Sequence, residues 1–274
     1  RTYKRQGVEV ILMSGFSEKL LVTLLSHFFS LPVVWIEYGK LESVFRRNFY
    51  LPKLLYRMLN NIPQTVIVPS NNTKQSLLTE ARVPVTAVQV IPCGIVMPKE
   101  KKEDRSGSGF AKADFIIGNV SRLTREKGQQ FLIQAMPEVV SLFPHARLML
   151  IGGGGDKLFF QQLIDELNMA KYITLFDYVA DVHRYYECMD LFVFPTVWDL
   201  EGFGLVLPEA MAHKHGLLFP PGDSKALAQC IITLMKDKKR REAMGEAGYK
   251  KVTTEYNISI ISQRIREILF EATL

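Results

Sequence analysis

Residues 118–128 read GNVSRLTREKG, and they stand between a short apolar run at 115–120 and a helical pattern at 129–142. A loop that follows a strand and precedes a helix lies at the carboxyl edge of a parallel sheet, where open α/β proteins bind ligands. Arg122 and Lys127 are five residues apart on this loop, so a planar guanidinium and a single ammonium charge can converge on a diphosphate. A solvated basic turn would have the same composition, so this loop needs the support of a second motif.

The second motif, residues 201–209, reads EGFGLVLPE and also runs from a loop into a helix. It places Glu201 and Glu209 eight residues apart, and Gly202 and Gly204 allow backbone amides to approach a ligand closely. A carboxylate in the first turn of a helix is suited to accept two ribose hydroxyls, whereas Glu201 on the loop can reach a sugar. The alternative for Glu209 is ordinary compensation of the helix dipole.

Short apolar runs alternate with helical patterns along both halves of the chain. Such alternation implies crossover connections and parallel sheets that are covered on both faces, which is the α/β class. Residues 98–112, PKEKKEDRSGSGFAK, are charged and then rich in Gly and Ser, which predicts a linker. Strands are predicted at 8–13, 32–36, 65–69, 87–91, 115–120, 147–151, 173–176 and 191–195, and helices at 17–29, 53–59, 72–80, 129–142, 159–167, 182–188, from 208 onward, 226–236, 240–250 and 258–274.

Together these motifs resemble the large family of retaining glycosyltransferases commonly numbered four, which has the GT-B fold. The hallmarks of that family are an arginine–lysine loop, matched here at 121–128, and two glutamates separated by seven residues, matched by Glu201 and Glu209. The match is strong over 113–274 and looser over 8–96. Further stretches match in the correct order, namely VIPCGI at 90–95, LIGGGG at 150–155, FDYVA at 176–180, DLFVFP at 190–195 and LFPPGD at 218–223.

The resemblance implies two Rossmann-like domains with parallel sheets and a donor site in the cleft between them. It divides the chain into an N-terminal acceptor-side domain at 1–98, a linker at 99–112, a C-terminal nucleotide-sugar-binding domain at 113–256 and a last helix. That helix, at 257–274, is expected to pack back towards the first domain.

The resemblance also implies roles for individual residues. Arg122 and Lys127 would hold the donor diphosphate, Glu209 would bind the ribose, and Glu201 would contact the donor sugar. The catalytic group is thus expected to comprise Glu201, Arg122 and Lys127. No metal and no cofactor are expected beside the nucleotide sugar, because the two cations neutralise the charge that Mg²⁺ would otherwise neutralise. The remaining predicted donor contacts are Tyr178, Val179 and Ala180 near the base, and Phe203, Gly204 and Leu205 near the sugar and its phosphate.

Some positions depart from the family pattern. Glu37 and Tyr38 follow the strand at 32–36, where members often have a histidine, and the strand that ends at Met13 also lacks a histidine that relatives often carry. The first half has few strands, so the N-terminal domain is expected to be incomplete. The helix that starts near Glu209 leaves no room for another strand before 218–223, so residues are expected to be missing near 212–215.

The first half of the chain is basic. Residues 1–112 contain 16 Lys and Arg and 8 Asp and Glu, against 18 and 20 in 113–274, and the whole chain has a net charge of +6. This asymmetry indicates anionic lipid, a phosphate-bearing acceptor or nucleic acid as a partner, or only a solvated surface. Nucleic acid is not expected, because no recognised reader motif is present. Basic and aromatic residues at 45–59 suit either an anionic membrane that holds a lipid-linked acceptor or a core-facing helix with a cationic outer side.

The sequence therefore predicts a retaining glycosyltransferase that moves a sugar from a UDP- or GDP-linked donor to a glycan, lipid-linked or small-molecule acceptor. The alternative is a catalytically inactive sugar-nucleotide-binding or scaffold subunit with the same fold. We expect a cytoplasmic protein that can be peripheral on the membrane face, because no stretch has the pattern of a signal peptide or a membrane span. The odd number of widely spaced cysteines also favours a reducing compartment over disulfides or a zinc site; they are Cys93, Cys188 and Cys230.

Overall fold

The computed structural model of the chain describes residues 7–45, 51–98, 109–197, 201–215, 217–218 and 222–274. The chain forms two units, each assembled from more than one stretch of sequence. Most of the predicted linker, 99–112, lies outside the described residues. Unit 1 comprises Arg1–Val96, Leu200–Gly204 and Glu255–Leu274, and unit 2 comprises Met97–Asp199 and Leu205–Thr254.

Unit 1 contains a four-stranded parallel sheet in the order β1-β2-β3-β4. The second strand has an uninterrupted apolar sequence because both faces of the sheet are covered, and Val33, Val34 and Trp35 in it are buried. The strands are β1 (Ile11–Met13), β2 (Val33–Ile36), β3 (Thr65–Val68) and β4 (Val88–Val90), and the helices are α1 (Phe16–Phe28), α2 (Leu41–Phe45), α3 (Leu51–Leu59), α4 (Asn71–Ser76, extended by a π-helical turn at Leu77–Ala81) and the last helix, α11 (Ile258–Glu271).

The last helix of the chain covers one face of the unit 1 sheet. Ile261 and Ile268 of α11 belong to the same buried cluster as Val34 of β2 and Ile67 of β3. The helix begins at Asn257, whose side-chain oxygen accepts a backbone N–H at 3.0 Å and so satisfies one of the free amides of the first turn. The end of the chain is thus part of the unit 1 core.

Unit 2 contains a five-stranded parallel sheet in the order β7-β6-β5-β8-β9, with β5 at its centre. Successive strand residues point to opposite faces, so Ile117 packs against α5, α6 and α9, whereas Ile116 packs against α7 and α8. The elements are β5 (Phe115–Val120), α5 (Gln129–Leu142), β6 (Ala146–Ile151), α6 (Lys157–Glu166), β7 (Ile173–Phe176), α7 (His183–Cys188), β8 (Leu191–Phe194), α8 (Val206–Ala212), β9 (Leu217–Leu218), α9 (Ser224–Lys236) and α10 (Lys238–Lys251).

The fifth strand of this sheet corrects one expectation. The sequence predicts no room for another strand after the helix that starts near Glu209, and this is wrong, because β9 pairs in parallel with β8. Lys214 adopts a left-handed conformation with φ 63°, and the His215 N–H donates to the Ala210 carbonyl at 2.9 Å. This compact helix end turns the chain within a few residues, so a strand of two residues fits.

A buried ion pair joins α1 to the carboxyl end of β2. The Lys19 ammonium has no exposed surface and donates to Glu37 Oε1 at 2.6 Å and to the Ile36 carbonyl at 2.5 Å. The Tyr56 hydroxyl on α3 donates to the same carboxylate oxygen at 2.6 Å. Burial lowers the pKa of Lys19, while Glu37 raises it. Each charge is out of water, so each requires the other as its partner.

Lys19→Met is expected to lower the free energy of unfolding of unit 1 by roughly 3–5 kcal/mol, because it leaves the Glu37 carboxylate buried without a cation. Adding Glu37→Leu should restore most of the loss, since neither charge then remains. Urea unfolding followed by tryptophan fluorescence measures both variants. Lys53→Met is the matched control: it removes a partly exposed pair with Glu80 and should cost less than about 1 kcal/mol. Equal stability of Lys19→Met and Lys53→Met would contradict this account.

Candidate functional site

Side-chain amides fix the loop between β5 and α5. The Asn119 Nδ2 donates to the Val193 carbonyl at 2.8 Å and ties the end of β5 to β8. The Gln129 Nε2, in the first residue of α5, donates to Ser121 Oγ and to the Arg122 carbonyl, each at 2.7 Å. Both amide side chains are buried. The backbone that carries Arg122 is therefore held from the strand before it and from the helix after it.

The glycine run after β6 packs directly against this loop. Gly152 has a φ of 151°, and a Cβ at this position would overlap the Ser121 carbonyl oxygen. A Cβ at Gly154 would overlap the Leu123 carbonyl oxygen. The Leu123 N–H donates to the Gly153 carbonyl at 2.9 Å, which links the two segments. The run therefore allows two backbone segments to touch at the carboxyl edge of the sheet.

Gly152→Ala is expected to lower the free energy of unfolding of unit 2 by roughly 1–3 kcal/mol, because an added Cβ meets the neighbouring backbone in a conformation that favours glycine. Gly155→Ala is the matched control, since a Cβ there meets no other atom within 4 Å. Thermal unfolding followed by circular dichroism compares the two variants. If they unfold at the same temperature, the two segments are not packed as described.

A pocket of about 400 Å³ opens beside the loop within unit 2. Arg122 lines it together with Tyr178, Val179 and Ala180, which are the residues predicted to lie near the base. The Arg122 side chain is 62% exposed, and its Nη2 lies 3.3 Å from Glu126 Oε1. Unit 2 thus brings the predicted arginine and the predicted base-contacting segment to one pocket.

Lys127 occupies a different environment from Arg122. It ends a 3₁₀ turn at Arg125–Lys127, and only 8% of its surface is exposed. The Glu126 carbonyl holds the turn by accepting from the Val197 N–H at 3.1 Å and from Thr196 Oγ1 at 3.3 Å. Of the two predicted diphosphate-binding cations, Arg122 is exposed and lines the pocket, whereas Lys127 is buried and does not line it.

Glu209 lies in the first turn of α8, where burial raises the pKa of its carboxyl group. The Tyr186 hydroxyl donates to its Oε2 at 3.1 Å. This hydrogen bond and the charge of His183 act in the opposite direction and lower the pKa. Glu209 does not line the pocket beside Arg122. Its carboxylate is instead held by a side chain from α7.

One imidazole stacks on the tyrosine that holds Glu209 and a second imidazole contacts the first, a cluster that the sequence did not predict. The ring of Tyr186 stacks on His213, with centroids 5.4 Å apart and planes 21° apart. His183 Nδ1 lies 3.2 Å from His213 Nε2. Burial lowers the pKa of His213 to about 4, helped by the nearby charges of His183 and His215. The signal in the sequence is spacing: the members occur three apart on α7 and four apart across the end of α8.

The first glutamate of the second motif is positioned by unit 1. Residues 201–204 belong to that unit, and the Ser70 hydroxyl donates to the Gly202 carbonyl at 2.6 Å. A Cβ on Gly202 would overlap the Tyr38 carbonyl oxygen, and the Phe203 ring meets Tyr256 edge-on at 5.6 Å. Of the predicted site residues, Glu201, Phe203 and Gly204 therefore lie in unit 1, whereas Arg122, Lys127, Tyr178, Val179, Ala180, Leu205 and Glu209 lie in unit 2.

Comparison with known families matches residues 100–214 to the family described as Glycosyl transferases group 1. Residues 100–214 are thus similar to glycosyl transferases of group 1. The matched segment contains the Arg122 loop, the glycine run and the motif at 201–209. The family resemblance indicated by those motifs is confirmed.

Individual relatives of the chain agree with this similarity. A GDP-mannose-dependent monoacylated alpha-(1-6)-phosphatidylinositol monomannoside mannosyltransferase of Corynebacterium glutamicum is 29% identical over 196 residues, which is 63% of this chain and 51% of that protein. The capsular polysaccharide biosynthesis glycosyltransferase CapM of Staphylococcus aureus is 26% identical over 262 residues, 84% of this chain and 67% of that protein. The matched region thus spans about half to two thirds of the length of these curated relatives.

A solved structure shows the same fold as this chain. The crystal structure of Anabaena Alr3699/HepE in complex with UDP superposes with a TM-score of 0.86 at 21% identity, and the alignment covers 98% of this chain and 81% of that one. The α/β class and the GT-B fold expected from the sequence are confirmed.

Proposed function

We propose that this chain is a retaining glycosyltransferase that moves a sugar from a UDP- or GDP-linked donor to a glycan, lipid-linked or small-molecule acceptor. The observation that carries the proposal is the pocket in unit 2 where Arg122 meets residues 178–180. The pocket lies at the carboxyl edge of a parallel sheet, the usual place for nucleotides in α/β proteins. The match of residues 100–214 to the group 1 family and the likeness to a protein solved with UDP support it.

We assign separate contacts to the four parts of the nucleotide sugar: the base, the ribose, the diphosphate and the donor sugar. The base lies in the pocket against residues 178–180, and the ribose hydroxyls are accepted by Glu209. The diphosphate is bound by Arg122 and Lys127, of which the exposed guanidinium offers a planar fork of donors. The buried ammonium acts through a stronger field, because few water molecules screen it. Glu201, with the backbone of residues 203–205, contacts the donor sugar.

The proposed chemistry breaks the bond between the anomeric carbon and the diphosphate oxygen. Negative charge then develops on the leaving nucleoside diphosphate, and the acceptor hydroxyl forms the new bond on the same face of the sugar. Arg122 and Lys127 accelerate this step because they stabilise the developing charge more than the ground state. The two cations supply the positive charge that a divalent metal supplies in other transferases, so transfer is proposed to be metal-independent.

Arg122→Ala is expected to weaken binding of UDP or GDP by about 10- to 100-fold, because it removes charged hydrogen bonds to the diphosphate. Arg125→Ala is the matched control: it removes an equally exposed arginine of the same loop, whose guanidinium lies 4.0 Å from the centroid of the Phe159 ring, and should leave affinity nearly unchanged. Isothermal titration calorimetry in EDTA, repeated with Mg²⁺, measures both variants.

Three outcomes of that titration would count against the assignments. Equal weakening by Arg122→Ala and Arg125→Ala would mean that only the general charge of the loop matters. Binding that requires Mg²⁺ would contradict the metal-independent role. A wild-type chain that binds no nucleoside diphosphate would contradict the proposed function itself.

A second candidate function is that of a non-catalytic subunit that binds sugar nucleotides. It is favoured by the end of β2, where members of the resembled family often have a histidine. Here Glu37 is 8% exposed and already accepts from Lys19 and Tyr56, while the neighbouring Tyr38 is 60% exposed. Hydrolysis assays with a panel of UDP- and GDP-sugars separate the candidates. Turnover of any donor supports the transferase, and binding without turnover of any donor supports the subunit.

An exposed apolar face on unit 1 supports a proposed contact with an anionic membrane surface. Exposed side chains on α1 recur at intervals of three or four residues, so they form one stripe, and α3 next to it exposes three more. The first half of the chain also carries the excess of basic residues. None of the helices in the described part of the chain is long and apolar enough to span a bilayer. The exposed side chains are Leu21, Leu24, Leu25 and Phe28 on α1 and Leu54, Leu55 and Met58 on α3.

The chain is expected to co-sediment with vesicles that contain phosphatidylglycerol and much less with vesicles of phosphatidylcholine alone. Leu24→Glu combined with Phe28→Glu should abolish this binding, because charges on the stripe oppose insertion of apolar side chains. Leu158→Glu is the control, since it changes a leucine of α6 in unit 2 that is 79% exposed. Failure of the wild-type chain to bind either vesicle, or binding that survives the double substitution, would contradict the proposed contact.

A further inference from the structure

A single buried hydroxyl links the two helices on which the proposed ribose site depends. Tyr186 on α7 has no exposed surface, and its hydroxyl lies 3.1 Å from Glu209 Oε2 and 3.3 Å from the Val206 carbonyl oxygen. Both acceptors are on α8, one in its first residue and one in its first turn. The hydroxyl therefore bridges the start of α8 and the carboxylate that projects from it.

The ring of Tyr186 is held so that this hydroxyl keeps its position. It stacks on His213 on one side and packs against Phe192 of β8, with ring centroids 5.7 Å apart. The lowered pKa of His213, about 4, means that this imidazole is uncharged near neutral pH. Its contact with the tyrosine is then an ordinary aromatic one, which does not compete with Glu209 for the hydroxyl. The tyrosine has no freedom to follow a moving carboxylate.

We propose that Tyr186 is a positioning residue that orients the Glu209 carboxylate for the ribose of a nucleoside diphosphate. A carboxylate at the surface can rotate about its last bond, so two hydroxyls would meet it in many orientations. Holding Oε2 fixes the plane of the group, and both ribose hydroxyls then meet acceptors that are already aligned. This inference rests on the proposed function, because it assigns Glu209 to the ribose.

Removal of the hydroxyl tests the proposal with the ring left in place. Tyr186→Phe is expected to weaken binding of UDP or GDP, whichever the wild-type chain binds, by about five-fold. Binding of the corresponding 2′,3′-dideoxy nucleotide should stay unchanged, since it has no hydroxyls for Glu209 to accept. The preference for ribose over the dideoxy sugar should therefore shrink by the same factor. Tyr185→Phe is the matched control, because the neighbouring hydroxyl lies at the surface and accepts from Arg184 at 2.9 Å.

A double-mutant cycle shows whether the tyrosine acts through the glutamate. In a Glu209→Ala chain, Tyr186→Phe should cause no further loss of affinity for the ribonucleotide, because the group that it orients is gone. Titration calorimetry of the four chains with both nucleotides gives the coupling, and thermal unfolding confirms that each chain is folded at the titration temperature.

The possible outcomes separate this inference from the proposed function. Equal weakening of ribose and dideoxy nucleotides by Tyr186→Phe would indicate a purely structural role and overturn the inference. So would a loss that persists undiminished in the Glu209→Ala chain, or a wild-type chain that binds both nucleotides equally well. In all of these cases the nucleotide site itself stands. Absence of any nucleotide binding by the wild-type chain would overturn the proposed function, and the inference with it.

Discussion

The candidate site depends on the contact between two backbone segments at the carboxyl edge of the unit 2 sheet. Gly152 and Gly154 approach the carbonyl groups of Ser121 and Leu123 so closely that no side chain fits between them. Hydrogen bonds from Gln129 hold the same loop from the other side. Together these contacts decide where the arginine of the loop stands and leave a pocket open beside it. The position of the Arg122 charge is therefore determined by the packing of these backbone segments.

Each of the two predicted acids, Glu201 and Glu209, is positioned by residues from elsewhere in its own unit. Glu209 sits on a helix of seven residues and takes its orientation from Tyr186, a residue 23 positions earlier in the chain. The segment that carries Glu201 is fixed through Gly202, which accepts a hydrogen bond from Ser70 and lies against the Tyr38 carbonyl. Residues from neighbouring helices and loops thus hold the short segments that carry the two acids.

Much of the architecture could be predicted from the sequence, because alternating apolar runs and the Arg122 loop are local signals. The strand β9 could not, since it has two residues and follows a left-handed turn at Lys214, a residue with no preference for that conformation. The contacts of Tyr186 with Glu209 and His213 could not be predicted from a local sequence pattern either. It arises where α7 and α8 meet, and the sequence does not give their packing. Likewise, Glu201 and Glu209 belong to one sequence motif, but they lie in different units.

The division of the chain into units limits which fragments of the protein can be produced separately. The polypeptide passes from one unit to the other four times, at 96/97, 199/200, 204/205 and 254/255. Any continuous fragment that contains all of unit 1 therefore also contains unit 2, whereas residues 97–254 contain all of unit 2. A fragment that ends before the final helix would expose Val34 and Ile67. A fragment that begins at the linker would lack Ser70, so the Gly202 carbonyl would lose its hydrogen-bond donor. Unit 1 must therefore be produced as part of the whole polypeptide if it is to keep all of its segments.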